Sequence, residues 1–320
     1  MKKLVGAVMV LLAAGSVVGA QVAGSASTKV AICHKTSSKT RPYQRIVVAS
    51  AKAHLGHPDD IIPAPKVCPQ TLLTARSGGV AITVTMHGVA EQPDPGDPDG
   101  VGSATIRLRQ GQGRVCYTLA AESIQASNGA HIHKGGADQS GPVVVPFATP
   151  NAQGTSSGCA AVVRTLVADI LRNRSSYYVN VHTGDFPAGA IRAQLALPST
   201  AKLLVTSLTG AAERPTPGDS DGGGTAAFLL FPDSGKLCYT LAVRNITLPT
   251  AGAHIHRGGA DEAGPVAVPL QQPLASGTSS GCLTPDAAIV RDIAQNPAGF
   301  YANVHTPEFP AGAVRGQLPA

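Results

Sequence analysis

The sequence has no tryptophan, and only 4% of its residues are aromatic. Large flat rings therefore cannot dominate its cores, which have to be filled by Val, Ile, Leu and Ala. Apolar types make up 43% of the chain, enough to bury a core. Charge is scarce too, at 14%. No run of Lys and Arg occurs, and basic residues are not interleaved with aromatics, so a nucleic-acid surface has no support. The net charge is +6, and two of those charges are Lys2 and Lys3 at the start of the chain. Beyond residue 26 no apolar run is long enough to span a bilayer. No nucleophile elbow, phosphate-binding loop or Ser/His/Asp order occurs, which excludes the familiar hydrolase and nucleotide chemistries.

Glycine (36) and proline (25) are plentiful and spread along the chain. Short Val/Thr-rich runs lie between them, the pattern of an all-β chain with many turns. A length of 320 residues suggests two or three domains, at roughly 100–200 residues each.

Residues 1–26 read as a secretory signal: a charged start at Lys2-Lys3, an apolar stretch over 4–18, then small residues. Cleavage is expected after Ala20 or near Ala26. Gly15, Ser16 and Gly19 interrupt the stretch, which argues against an uncleaved anchor. The mature chain is expected to be secreted, periplasmic or on the cell surface.

One stretch organises the rest. Ala-His-Ile-His-Lys-Gly-Gly-Ala-Asp at 130–138 returns as Ala-His-Ile-His-Arg-Gly-Gly-Ala-Asp at 253–261. One constant offset carries His131 to His254, Cys159 to Cys282, Asp169 to Asp292, His182 to His305 and Arg192 to Arg315. A repeat of this length is a whole domain used twice. The copies run over 80–197 and 202–320, joined through 198–201. A small unit, 28–70, precedes them, with a linker over 71–79.

Six cysteines in an exported chain suggest disulfides. The repeat assigns them. Cys116 and Cys159 match Cys238 and Cys282, so each copy closes its own bridge, and Cys33 and Cys68 remain for the N-terminal unit. A loop of about 44 residues closed this way contributes about 4 kcal/mol in the chain-entropy model.

With its Cys33-His34 start and an Ala-His-x-x-His-x-Asp stretch at 53–59, the N-terminal unit is similar to a short module of other exported bacterial proteins, one that carries no transferable function. If 51–57 is helical, His54 and His57 share a face, and with His34 and Asp59 they could hold a metal. The alternative is a disulfide-stapled module with surface histidines.

Within each copy the sequence predicts a strand at 82–86, an acidic loop, and a hairpin turning at 111–113 or 232–235. One helix is expected after the second cysteine: 161–171 in copy one, and in copy two a helix capped by Thr284 with Pro285 first. Two closing strands follow, around 178–183 and 190–195.

Four pieces resemble the CHRD domain. They are Ala-His-Ile-His-x-Gly, Gly-Pro-Val, the Tyr-x-Asn-Val-His-Thr group ending at Thr183 and Thr306, and Pro-x-Gly-x-x-Arg-x-Gln-Leu. The resemblance covers nearly all of both copies. It implies an extracellular β-sandwich-type domain without established catalytic activity. It does not imply growth-factor binding, because the cysteine-rich modules of chordin have no counterpart here. The expected fold is therefore mainly β: two tandem antiparallel β-sandwich-type domains, each with one helix, plus the stapled N-terminal module.

Strand residues i and i+2 share a face. His131 and His133 point one way and Ile132 the other; Tyr178, Asn180 and His182 behave likewise. If the strands are neighbours, three imidazoles converge per copy: His131, His133, His182, and His254, His256, His305. Three His with an open position suit zinc or copper. The His-x-His faintly resembles that of copper/zinc superoxide dismutases, but the further His and Asp ligands of that family have no counterpart. The other reading is a His-rich polar face held by hydrogen bonds to Asn, Asp and backbone, with Arg192 and Gln194 part of a buried network; Asn180 and Arg192 recur as Asn303 and Arg315. His87 is replaced by Thr209 in copy two and is read as incidental.

Glu91, Asp97 and Asp99, matched by Glu213, Asp219 and Asp221, form a calcium-like acidic loop that reads better as a solvated turn. Asp138 and Asp261, with Asp169 and Asp292, recur without forming an acid/base pair. Two functions remain. One is a non-enzymatic binding or structural protein for an unknown extracellular protein or surface ligand. The other is a zinc- or copper-binding protein, or a metal-dependent redox enzyme, using the three-His clusters.

Overall fold

The computed structural model describes residues 29–38, 40–50, 54, 60, 64, 66–68 and 79–320. The signal-like segment, residues 71–78 of the linker, His57 and Asp59 lie outside the described residues. In the N-terminal unit, β1 (Val30–Lys35) pairs antiparallel with β2 (Tyr43–Val48). Cys33 is bonded to Cys68, and both are buried with Tyr43.

Copy one contains β3 (Val80–His87), β4 (Val101–Arg109), β5 (Arg114–Glu122), β6 (Ser127–Lys134), β7 (Val143–Pro146), β8 (Thr155–Ala161), α1 (Arg164–Arg172), β9 (Tyr177–Thr183) and β10 (Ile191–Gln194). They form one eight-stranded antiparallel sheet in the order β7-β6-β9-β10-β3-β4-β5-β8. Alternate residues point inward, as the period of two demands: Ala104, Ile106 and Leu108 from β4, Val115, Tyr117 and Leu119 from β5, Val179 and Val181 from β9. The seam between β10 and β3 is a single bridged pair, Arg192 with His87. Two four-stranded halves can therefore fold over one core, so the two layers of the expected sandwich belong to one curled sheet.

The outer edges of that sheet meet. The Tyr117 and Phe147 rings stack with centroids 3.9 Å apart. The Ala148 N–H donates to the Tyr117 hydroxyl at 2.8 Å, and the Ser156 hydroxyl donates to the Ala148 carbonyl at 2.7 Å. Stapling the edges leaves less unpaired strand for other chains to pair with.

Copy two repeats the order with β11 (Lys202–Thr209), β12 (Gly223–Phe231), β13 (Lys236–Arg244), β14 (Gly252–Arg257), β15 (Val266–Leu270), β16 (Thr278–Leu283), α2 (Ala287–Gln295), β17 (Phe300–His305) and β18 (Val314–Gln317). Cys116–Cys159 and Cys238–Cys282 are bridged, joining β5 to β8 and β13 to β16.

Both helices start later than the sequence suggests. Ala161 is still paired with Arg114 in the sheet, and the Val162 N–H bonds the Gly113 carbonyl, so α1 cannot begin before these contacts end. It has no side-chain cap. In α2 the cap is Asp286 rather than Thr284: its carboxylate accepts the Ala288 N–H at 2.8 Å, the reach an N-cap needs. Pro285 thus precedes the helix.

The copies pack against each other through unlike surfaces. Val89 and Ala137 of copy one are buried with Ala227, Leu229, Phe231 and Cys238 of copy two. Lys236 Nζ donates to Gln92 Oε1 at 2.6 Å. The equivalents of Leu229 and Phe231 in copy one are Arg107 and Arg109, and the equivalent of Val89 is the exposed Ala211. The joint is head-to-tail, and the matching surfaces at its two ends are not complementary, so it does not propagate. The double variant Leu229→Arg/Phe231→Arg gives copy two the residues that copy one already carries on this strand. It is expected to fold, but calorimetry should resolve two transitions where the parent shows one. A single unchanged transition would show that this contact does not couple the copies.

Candidate metal centre

Strand β6 lies between β7 and β9, and its register opposes His131 to Asn180, His133 to Tyr178 and Gly129 to His182. Ile132 is fully buried in the core, as are Val179 and Val181, so the intervening polar residues must face the other side. This brings His131, His133 and His182 together, with ring centroids 5.2–5.8 Å apart. Each offers one ring nitrogen, and no two of these are more than 4.8 Å apart. A common point therefore lies within about 2.8 Å of all three, against metal–nitrogen bonds of about 2.0–2.1 Å. His254, His256 and His305 repeat the cluster.

The rings are held in one orientation. His133 Nδ1 is 2.8 Å from the Gly141 carbonyl, and His182 Nδ1 is 3.0 Å from the Pro187 carbonyl. A carbonyl can only accept, so each Nδ1 carries the proton and each Nε2 keeps its lone pair. Those two Nε2 atoms and His131 Nδ1 are buried with no hydrogen-bond partner among the described residues. Copy two has the same three orphaned nitrogens, with His256 on Gly264 and His305 on Pro310. Buried polar atoms are seldom left unpaired. Six in equivalent places mark a feature of the fold.

Burial, with the neighbouring His182 and His133, pushes the His131 imidazole down to about 4, and His254 likewise. Burial also lowers His133, His182, His256 and His305. The trios are thus neutral near pH 7, the form a metal ligand requires.

Behind the trio, Tyr178 stacks on His133 at 4.8 Å, and the Arg192 guanidinium lies 3.4 Å from the Tyr178 ring centre. Arg192 is 1% exposed. It donates to the Gly136 carbonyl at 2.6 Å, the Gln139 carbonyl at 3.0 Å and Gln194 Oε1 at 3.2 Å. Gln194 in turn donates to the Gly135 and Ser175 carbonyls. The Gly-Gly-Ala-Asp loop is therefore wrapped around one side chain, and it leads to Gly141, whose carbonyl orients His133. A Cβ at Gly141 would sit 1.8 Å from the Lys134 carbonyl oxygen, so only glycine fits.

Glu91 belongs to this network and not to an acidic loop. It is 2% exposed, and a Cβ at Gly189 would strike its carboxyl at 2.2 Å. Burial pushes Glu91 up to about 8, against the opposing pull of Arg192 and a hydrogen bond from Asn180. Glu213 rises to about 7 for the same reason, opposed by Arg315 and Asn303. Asp97 sits apart in the turn, with Asp99 beside it, where burial followed by Asp99 raises it to about 7. The calcium-like grouping of Glu91 with Asp97 and Asp99 is not among the ligand clusters of the described residues. Asp169 fastens α1 to the sheet, accepting from the Tyr177 hydroxyl at 2.5 Å and from Lys134 at 3.3 Å, and Asp292 accepts from Arg257 at 2.6 Å.

Sequence reasoning missed the orienting carbonyls of Gly141 and Pro187 and the place of Glu91. Their signals were present: Gly-Pro-Val and Pro-x-Gly recur at fixed distances from the histidines, and Glu91 recurs as Glu213. Among the described residues the N-terminal cluster consists of His34, His54 and Asp60; the expected His57 and Asp59 lie outside the described residues.

A family model described as CHRD domain matches residues 82–195 and 204–318. No curated protein matches the chain.

Proposed function

This chain belongs to the CHRD-domain family, and from that premise we propose that it is an exported, non-enzymatic binding protein holding one zinc or copper ion in the three-His cluster of each copy. The family supports a binding or structural role. The bridges and the domain type agree with an extracellular setting. The observation that carries the metal reading is the set of three buried ring nitrogens per copy without partners among the described residues, in histidines whose ligand atoms lie within 4.8 Å of one another. A purely structural network would pair those atoms. Neutral imidazoles suit zinc and copper, and three of them leave a coordination position open.

The test is elemental mass spectrometry on protein purified from an oxidising compartment, beside a His131→Ala/His254→Ala variant. Two metal ions per chain that the variant lacks are the expected result. No difference between the two proteins after reloading with zinc and with copper would overturn the reading. Because proton competition sets in as the pH falls toward about 4 at His131 and His254, the ions are expected to stay bound at pH 6 and to leave near pH 4. A redox enzyme is the second reading, favoured by the same open position. Copper-dependent turnover of a redox substrate, absent from the variant, would distinguish it.

A further inference from the structure

The N-terminal unit holds another cluster of ligand-type side chains, of different chemistry. His34 follows the bridged Cys33 on β1. Its Nδ1 is 3.0 Å from Asp60 Oδ2, and His54 Nδ1 is 3.0 Å from the same oxygen. The other Asp60 oxygen accepts the Lys35 N–H at 2.8 Å. The imidazoles meet edge to face, with centroids 5.2 Å apart. Asp60 is 1% exposed.

We propose that His34, His54 and Asp60 form a third metal site, taking a divalent cation of zinc type on two imidazoles and one carboxylate. The ligand atoms all lie within 4.8 Å of one another. The two nitrogen–oxygen separations of 3.0 Å are close to the edge of a tetrahedron built on zinc bonds, about 3.3 Å. The Lys35 N–H does for Asp60 what the Gly141 and Pro187 carbonyls do for the trio: it fixes one end of the side chain and turns the other toward the shared point. Asp60 already interacts with the Arg164 guanidinium, and a dication at that point adds to the positive charge that a deeply buried carboxylate calls for.

Binding needs no net chemistry. Each ring moves its proton from Nδ1 to Nε2 through solvent, a tautomer change at constant charge. The freed Nδ1 lone pairs and Oδ2 then bond the ion, and water completes the shell. Two things hold the ligands together without the ion. The Cys33–Cys68 bridge anchors the strand beside His34, and the Ala64 N–H bonds the Ala31 carbonyl at 2.7 Å. A carboxylate in the set distinguishes this site from the all-imidazole trios and favours zinc over cuprous copper.

The inference does not rest on the trios, and its test is made without them. Full-length protein carrying His131→Ala/His254→Ala is stripped and reloaded with zinc, counted by elemental mass spectrometry, and reloaded separately with cobalt, followed by visible absorption. One zinc per chain and a tetrahedral cobalt band are expected. Both should vanish when Asp60→Asn, or separately His54→Gln, is added, while mass spectrometry shows Cys33–Cys68 intact. No zinc in the trio-less background overturns the site, as does one zinc that survives both substitutions. Failure of the trios reads differently, as equal metal content in parent and trio-less protein.

Discussion

Replacing Arg192 by methionine is expected to cost the first copy about 3–5 kcal/mol of stability, measured by chemical denaturation. The side chain is fully enclosed, so solvent cannot take over its contacts. Its loss leaves the Gln139 carbonyl without its side-chain donor and the Gly136 carbonyl with only the Gln139 N–H at 3.2 Å, and a buried group left unpaired carries a desolvation penalty of about 1–3 kcal/mol. It also removes the cation stacked on Tyr178 and the charge that opposes the upward push on Glu91. Lysine does not rescue, because one ammonium cannot reproduce a planar fork donating to several oxygens. Arg192→Met should also weaken metal binding in copy one by about 10–100-fold, because the loop that presents Gly141 to His133 depends on Arg192. Arg315→Met is expected to repeat the result in copy two, where the contacts are Gly259 at 2.6 Å and Glu262 at 2.8 Å. A loss under about 0.5 kcal/mol, the range of ordinary surface changes, would remove this arginine from its place as the organiser of the loop.

Much of this arrangement was legible in the sequence, for identifiable reasons. A strand alternates faces, so Ile132 between two histidines and Val181 between Asn180 and His182 determine which side the polar residues take. The repeat supplied the cysteine pairing, which a count of six could not. Glu91 was not legible because local sequence places it beside Asp97 and Asp99. Its real neighbours, Asn180 and Arg192, arrive through the β3–β10 seam from the other half of the sheet. The interface between copies had a signal that position-by-position comparison exposes. β12 reads Gly-Gly-Thr-Ala-Ala-Phe-Leu-Leu-Phe, apolar on both faces, whereas β4 alternates with Thr105, Arg107 and Arg109. A strand apolar on both faces is covered on both. Which metal the trios select is not written in the spacing, because neutral imidazole suits zinc and copper alike.

Removing a bridge from either copy, as Cys116→Ser/Cys159→Ser or Cys238→Ser/Cys282→Ser, is expected to cost about 4 kcal/mol per bridge. The enclosed loops, with sequence separations of 43 and 44 residues, contain β6 and β7 or β14 and β15. Opening a bridge therefore frees the strands that carry the His-x-His pairs. Edge strand β8 is mostly exposed and buries little surface of its own, so the covalent link to β5 carries much of its attachment. Stripping metal should do less. A site at a hundredfold excess of ligand over its dissociation constant adds about 2.7 kcal/mol, below the loop-closure figure. Against a domain stability of roughly 5–15 kcal/mol, loss of the bridge takes the larger share. Access separates the two bridges. Cys159 is exposed, whereas Cys238 is fully buried under copy one, with Gln92 Nε2 3.9 Å from its sulfur. Mild reductant should thus open Cys116–Cys159 first, as read by alkylation and mass spectrometry, and Leu229→Arg/Phe231→Arg should abolish the difference by exposing the second bridge. Melting unchanged by full reduction would refute the stabilising role of the bridges, and equal reduction rates in the parent would refute their protection by the interface.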